Sequence, residues 1–249
     1  MIIDRKTWRV VKPGQYTALF IRRERWDKGT LTLAERKAQY IILIGPGEVH
    51  VRNSAFILGG ITYVKKATAV ALGGEVYASD GAVVCPVIPG VKIHCDDTVS
   101  VVTPKIVETQ SDWDKIPPGV FRIIVIKGRK EKILLSEQKA DYIVQLFGDI
   151  KINTGVTIFS IGGSIECCGG TVIAYSYPIE DSSYEFPPLY VKLCGGESHQ
   201  YGGVLEVNAG RFQAPYLKKL KLTSPNFEGE VERVKELKDF SKSGKLIVG

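Results

Sequence analysis

The strongest constraint on the fold of this chain is an internal duplication. A tryptophan followed five residues later by Pro-Gly occurs at residues 8–14 and again, 105 residues on, at 113–119. Residues 33–41 recur as 135–143 with Leu, Glu, Lys, Ala, Tyr and Ile in matching places. Offsets that drift by a few residues between apolar segments are typical of loop insertions in two copies of one domain. The sequence therefore predicts two related domains in tandem.

The copies set the domain boundaries that the sequence predicts. Copy one is predicted to span residues 1–105 and copy two residues 106–209, each of a length suited to one domain. Residues 210–249 lie outside the repeat and are predicted to form a C-terminal extension.

Composition and pattern predict that both copies are built from strands. The chain contains 26 Val and 25 Ile but 17 Leu, a bias typical of strands. Six Gly-Gly pairs separate the apolar segments, and glycine readily adopts the positive φ of hairpin turns. We therefore predict an all-β fold of two tandem, duplicated antiparallel domains of β-sandwich or jelly-roll type.

The C-terminal extension carries the one helix pattern. Ser224-Pro225 is typical of a helix start, and an apolar stripe follows at every third residue. This pattern predicts an amphipathic helix at about 225–243. Its stripe packs on the chain's own sheets or, alternatively, contacts another subunit through Val231, Val234, Leu237 and Phe240.

The lack of a recognisable targeting signal and the pattern of cysteines point to a reducing compartment. No apolar segment of signal-peptide or membrane-spanning length is found. The five cysteines are odd in number and lack C-x-x-C spacing, so neither a zinc knuckle nor a secreted disulfide framework is indicated. We expect a location in the cytoplasm or within a particle assembled there.

Residues able to carry catalysis are sparse. The three histidines, His50, His94 and His199, lie on separate segments without metal-site spacing. Cys167 and Cys168 resemble a redox pair, but neighbours on a strand point to opposite faces, so one should face the core. We predict no enzyme activity, no catalytic or metal-binding residues and no cofactor.

Two basic segments occupy equivalent places in the copies and are predicted to lie at hairpin tips. Either their charges keep sheet edges from pairing, or they contact a polyanion such as nucleic acid. The polyanion contacts would be Arg22, Arg23, Arg25, Lys127, Arg129 and Lys130.

Charge separates the two copies. Residues 1–105 carry a net charge of +6, residues 106–209 carry −4 and residues 210–249 carry +4. Domains of opposite sign are suited to contacting each other. We therefore expect heterologous self-association, with copy one of one molecule against copy two of the next, which gives rings or open chains.

The segments 40–51, 56–60 and 65–74 resemble the β-sandwich N-terminal domain of the Clp1/Grc3 family of RNA 5′-hydroxyl kinases. The phosphate-binding motif of the family's kinase domain, G-x-x-x-x-G-K-[ST], does not occur in this chain. The resemblance implies a small β domain that mediates contacts, and it carries over no catalytic or nucleotide-binding residue.

Together these features predict a non-catalytic structural or assembly protein. It would form a homo-oligomer or a larger protein assembly, such as a virion, without a membrane span. The alternative is a nucleic-acid-binding or ribonucleoprotein accessory protein that uses the basic tips. A third reading is a lectin-like sandwich with Trp26, Tyr63, Tyr175 and Tyr177 on one face.

Overall fold

The computed structural model describes residues 2–3, 5–22, 30–35, 37–176, 186–239 and 244–248. These residues form two compact units, which divide along the chain between Pro104 and Lys105. We call them unit 1 and unit 2.

Unit 1 consists of short strands and one short helix. In chain order these are β1 (Ile2–Ile3), α1 (Arg5–Val10), β2 (Tyr16–Ile21), β3 (Leu31–Leu33), β4 (Ala38–Leu43), β5 (Glu48–Val51), β6 (Ala55–Ile57), β7 (Ile61–Lys65), β8 (Thr68–Ala71), β9 (Glu75–Ser79), β10 (Val83–Pro86), β11 (Lys92–Cys95) and β12 (Ser100–Val101).

Unit 2 has fewer and longer strands. Its elements are β13 (Lys105–Val107), α2 (Gln110–Asp114), β14 (Phe121–Leu135), β15 (Ala140–Ile152), β16 (Thr157–Ser160), β17 (Gly163–Ser176), β18 (Leu189–Gly202), β19 (Val204–Val231), β20 (Val234–Asp239) and β21 (Lys245–Val248).

Each unit is a parallel β-solenoid, so the predicted antiparallel sandwich or jelly roll is wrong. Unit 1 has two sheets, ordered β1-β2-β4-β6-β8-β10-β12 and β11-β9-β7-β5-β3, and unit 2 has one sheet in which β13 to β20 follow in chain order. Every pairing among the described strands is parallel. The all-β prediction is confirmed, and the two units make about 12 turns in total.

The pairing register gives the length of one turn, which we call a coil. Ile41 pairs with Ala55, and Ala55 with Ala69, each 14 residues further along the chain. In unit 2 the pairs Val191–Leu205 and Ser198–Phe212 show the same step. Strands with alternating buried and exposed residues, joined by glycine-rich connections, occur in a coil of this length as well as in a hairpin. The sequence pattern therefore does not distinguish the two topologies, and the predicted one was wrong.

The core consists of columns of apolar side chains, one from each coil. One column in unit 2 contains Ile150, Ile165, Val191 and Leu205, which pair in that order and are all buried. Alternate side chains of a strand point to opposite faces, so the outward residues form columns as well. A side chain on the surface therefore lies beside its counterparts one coil away.

The two Gly-Gly pairs of unit 1, at 59–60 and 73–74, lie at coil corners that stack on one another, not at hairpin turns. Gly60 and Gly74 both have φ of +75°. A Cβ atom on Gly60 would lie 2.6 Å from the Gly47 carbonyl oxygen, and one on Gly74 would lie 2.5 Å from the Gly60 oxygen. Only glycine satisfies both the backbone conformation and the close approach of the neighbouring coil.

The two units begin with the same arrangement. In unit 1 the ammonium of buried Lys37 donates to the Trp8 carbonyl oxygen at 2.8 Å and lies 5.0 Å from the centre of the Trp8 ring. In unit 2 Lys139 donates to Trp113 O at 2.9 Å and lies 5.2 Å from that ring. Each lysine therefore keeps a hydrogen bond and a cation–π contact although it is buried.

Residues 210–231 and 234–239 are strand, so the predicted helix at about 225–243 is wrong as far as the chain is described. Strand β19 runs through residue 210 without interruption, and β20 follows it. Leu217 pairs with Val234 and Leu220 with Leu237, which places the apolar residues of this segment over the preceding coil. These apolar residues recur at every third position, as they would on a helix, because they lie on strands joined by irregular corners.

Candidate functional site

The last coil of unit 2, which contains β20 and β21, is an open sheet edge. We call it the terminal coil. Both strands pair with β19 on one side, and neither has a second strand partner among the described residues. Leu237, Ile247 and Val248 are 44, 53 and 56% exposed. An edge of this kind offers unpaired backbone groups and apolar surface to another strand.

The opposite edge of unit 2 ends in a short strand and a short helix. Strand β13 pairs with residues 124–126 of β14. Further along β14, Leu134 N–H donates to Gln110 Oε1 at 2.7 Å, and Gln110 Nε2 donates to Leu134 O at 3.3 Å. The Gln110 amide, on α2, thus hydrogen-bonds the backbone as a neighbouring strand would. A very short edge strand and an adjacent helix limit pairing with other chains, so the two ends of unit 2 differ.

The charge sequence of β20 is complementary to itself in the antiparallel direction. The strand contains Lys235, Glu236, Leu237, Lys238 and Asp239. Two copies paired antiparallel about Leu237 would place Glu236 opposite Lys238, and Lys235 opposite Asp239. Every charged residue of the strand would then face the opposite sign. Opposite charges stabilise a cross-strand pair and like charges destabilise it.

The residues predicted as subunit contacts have different environments. Val231 is fully buried and Val234 packs against the core of unit 2. Leu237 is exposed on the terminal coil. Phe240 lies outside the described residues. Of the predicted set, Leu237 is the residue that the described structure leaves accessible on this edge.

The described residues among the predicted polyanion contacts do not lie at hairpin tips. Lys127 and Lys130 are within β14, whose pairing with β15 is irregular between Lys127 and Lys132. Arg22 is exposed directly after β2. Arg23, Arg25 and the side chain of Arg129 lie outside the described part of the chain. A parallel fold contains no hairpins, so the geometry assumed for these residues is absent from the described strands.

Unit 1 carries a ladder of stacked rings on its second sheet. His50, Tyr63, Tyr77 and His94 come from four successive coils, and their ring centroids are 4.6, 5.1 and 4.4 Å apart. Their faces cover one another, so the ladder presents ring edges to solvent. This differs from the free aromatic face on which a sugar stacks. Of the other aromatics in the lectin-like reading, Tyr175 is buried, and Trp26 and Tyr177 lie outside the described residues.

Carboxylates flank the ring ladder. The Glu75 carboxylate accepts a hydrogen bond from Tyr77 OH at 2.7 Å and lies 2.8 Å from His94 Nε2. These hydrogen bonds lower the pKa of Glu75, and the one from Tyr77 has the largest effect. The sequence places His50 and His94 on separate segments, and the structure brings them onto one sheet. The signal that unites them with the tyrosines is the spacing of about one coil between successive members.

A row of charges runs across the outer face of unit 2. Lys151, Glu166, Lys192 and Glu206 pair in that order on successive coils. Lys132 makes a short hydrogen bond to Glu166, and Lys151 lies 3.3 Å from the same carboxylate. The two ammonium groups lower the pKa of Glu166 to about 2, and Lys132 has the larger effect.

We expect Lys132→Gln to raise the pKa of Glu166 towards 4.5, its ordinary value, because the largest source of stabilisation of the carboxylate is removed. A depressed folded-state pKa contributes stability above about pH 4.5, and that contribution is lost as pH falls towards 2. The variant should therefore show a smaller loss of stability across this window. The measurement is an NMR titration of the carboxyl carbon of Glu166.

The matched control is Lys130→Gln, an exposed position on the same strand. It should leave the Glu166 titration unchanged. An identical midpoint for Glu166 in the wild type and in the Lys132 variant would contradict the assignment of Lys132 as the main partner.

Comparison with known proteins gives no family. No family model, curated protein or solved structure matches the chain. Neither of the two described helices has the length or apolar character needed to cross a bilayer.

Proposed function

We propose that this protein is a non-catalytic structural subunit that self-associates through the terminal coil of unit 2. The observation that carries the proposal is the contrast between the two edges of that unit. The first edge ends in the three-residue β13 and in α2, whose Gln110 hydrogen-bonds the Leu134 backbone, whereas the last carries the longer β20 and β21 and is partly apolar. The occupant we assign to the open edge is the same edge of a second copy.

The charges of β20 favour this occupant over an unrelated strand. Charged residues on an edge oppose pairing with most strands, which protects the protein from aggregation. The antiparallel self-pairing about Leu237 turns the same charges into cross-strand ion pairs. Such a contact is two-fold symmetric and closed, so it yields a dimer. The heterologous contact expected from the net charges would yield rings or open chains instead.

We expect the purified protein to have about twice the 27.4 kDa mass of one chain in light scattering after size-exclusion chromatography. Glu236→Lys would place lysine opposite Lys238 twice in the dimer and should weaken association at least about tenfold. The double variant with Lys238→Glu as well exchanges the signs and should restore the dimer. Each variant should first be checked for cooperative thermal unfolding.

The control variant is Glu232→Lys, which changes charge equally at an exposed residue outside β20. It should leave the dimer intact. A monomeric wild type at tens of micromolar protein and low salt would refute the proposal. A failure of the double variant to associate again would refute the antiparallel register, and masses that grow beyond a dimer with concentration would support the heterologous contact.

A further inference from the structure

The structure assigns a thiophilic metal site to Glu166, Cys168 and Cys194, on the outer face of unit 2. We propose that these residues bind a divalent ion of the Zn²⁺ type through two thiolates and one carboxylate. Their ligand atoms all lie within 4.8 Å of one another, and the three residues are half-buried. This site is independent of the terminal coil.

The local backbone explains why the thiols meet. In the pairing of β17 with β18, Cys167 lies opposite Leu193 and Cys168 opposite Gly195, so Cys194 is an extra residue in the register. Such a bulge redirects a side chain. Cys194 therefore lies on the same side as Cys168. As alternation predicts, Cys167 points inwards and is buried.

One distance between ligand atoms matches that of a tetrahedral metal site. The Cys168 sulfur is 3.6 Å from Glu166 Oε1. With Zn–S of about 2.3 Å and Zn–O of about 2.0 Å, the sulfur and oxygen of a tetrahedral site are separated by about 3.5 Å. Two sulfurs and one oxygen leave a fourth position for water. Thiolate pairs favour zinc-like ions over magnesium or calcium, which require oxygen ligands.

The surroundings hold the ligands in place. Lys132 and Lys151 keep Glu166 as an anion. Asn208 Nδ2 donates to the Cys194 sulfur at 3.9 Å, and Asn208 in turn accepts a hydrogen bond from Thr223. Groups of this kind orient metal ligands.

Charge balance is compatible with the two lysines. Cysteine binds a metal ion as the thiolate, so each thiol gives up its proton when the ion binds. Replacement of two thiol protons by one divalent cation leaves the net charge of the cluster unchanged. The ion therefore adds no net repulsion with Lys132 and Lys151.

The test is titration of the reduced full-length protein with Co²⁺, followed by the thiolate-to-cobalt charge-transfer band and its displacement by Zn²⁺. We expect one equivalent to bind. Cys168→Ser and Cys194→Ser should each abolish the band, and Glu166→Gln should weaken binding at least about tenfold. The control is Cys95→Ser, which removes an exposed thiol of unit 1 and should leave the band intact.

Three results would overturn the site. The first is no band in the reduced wild type. The second is a band that persists in both cysteine variants while circular dichroism shows them folded. The third is a Cys168–Cys194 disulfide in the isolated protein, seen as a mass lower by two hydrogens, together with no metal binding after reduction, which would identify a redox pair instead.

Discussion

Gly74→Ala is expected to destabilise unit 1 by about 3 kcal/mol or more. Alanine at this position must adopt a φ of +75°, and its Cβ would lie 2.5 Å from the Gly60 oxygen and 2.8 Å from the Gly59 carbonyl carbon. Strain of the left-handed conformation costs about 1 kcal/mol, and displacement of a packed backbone adds about 2 kcal/mol or more. The stacked coils cannot separate locally without loss of their pairing.

Gly81→Ala is the matched control, because it lies in the same unit with a φ of +71° and has no neighbouring atom within 4 Å of the added methyl group. It should cost only about 1 kcal/mol. Urea unfolding of both variants, followed by circular dichroism, measures the difference. Equal losses in the two variants would contradict the stacking of the corners, because conformational strain alone would then account for both.

Trp113→Ala is expected to destabilise unit 2 by about 4 kcal/mol. The side chain is 1% exposed and belongs to the core of the unit. Its loss would leave a cavity below α2 and remove the ring over which the Lys139 ammonium lies. The buried lysine would then have less compensation for its charge.

The matched variant is Trp113→Phe, which keeps an aromatic ring beneath the lysine. Trp113 Nε1 is buried without a hydrogen-bond partner among the described atoms, so the loss of this N–H has little cost. We expect a decrease of about 1.5 kcal/mol for the phenylalanine variant. A decrease for alanine no larger than for phenylalanine would refute the role of Trp113 as the anchor of the first coil.

Much of the strand content follows from the sequence. Alternation at Val49–Val51 and Ile150–Ile152 predicts strands with one buried face, and the structure has β5 and β15 there. Pairing direction does not follow from alternation, because parallel and antiparallel strands bury the same alternate residues. The signal for the solenoid is the recurrence of Leu-Gly-Gly at residues 58–60 and 72–74, one 14-residue coil apart.

The repeat of about 105 residues is easier to recognise in the sequence than the 14-residue repeat of the coils. An offset near 105 residues relates the start of unit 1 to the start of unit 2, including the Trp–Lys contacts, but each copy itself consists of several coils. Some columns repeat one residue, but others accept Ile, Leu, Val or the smaller Cys in successive coils. Identity between neighbouring coils is therefore low even where their shape is the same.

The candidate sites depend on the register and could not be predicted from residue spacing alone. Cys168 and Cys194 are 26 residues apart, and Glu166 lacks any metal-binding motif with either. They meet because β17 and β18 pair in parallel with a bulge. The sequence pattern gives no indication of the terminal coil, because the helix predicted from 225 to 243 would have no open sheet edge.

The pairing of β17 with β18 also bears on where this protein can accept new sequence. Val172 pairs with Ser198, 26 residues on, although Ser198 and its partner Phe212 in the next coil are only 14 residues apart. The columns continue across this longer step, with Ile173 beside His199 and Tyr175 beside Tyr201. A coil corner can thus carry a dozen extra residues without a change of register. Epitopes or binding peptides inserted at other exposed corners should be displayed at defined intervals along the strand-stacking direction, about 4.8 Å for each coil.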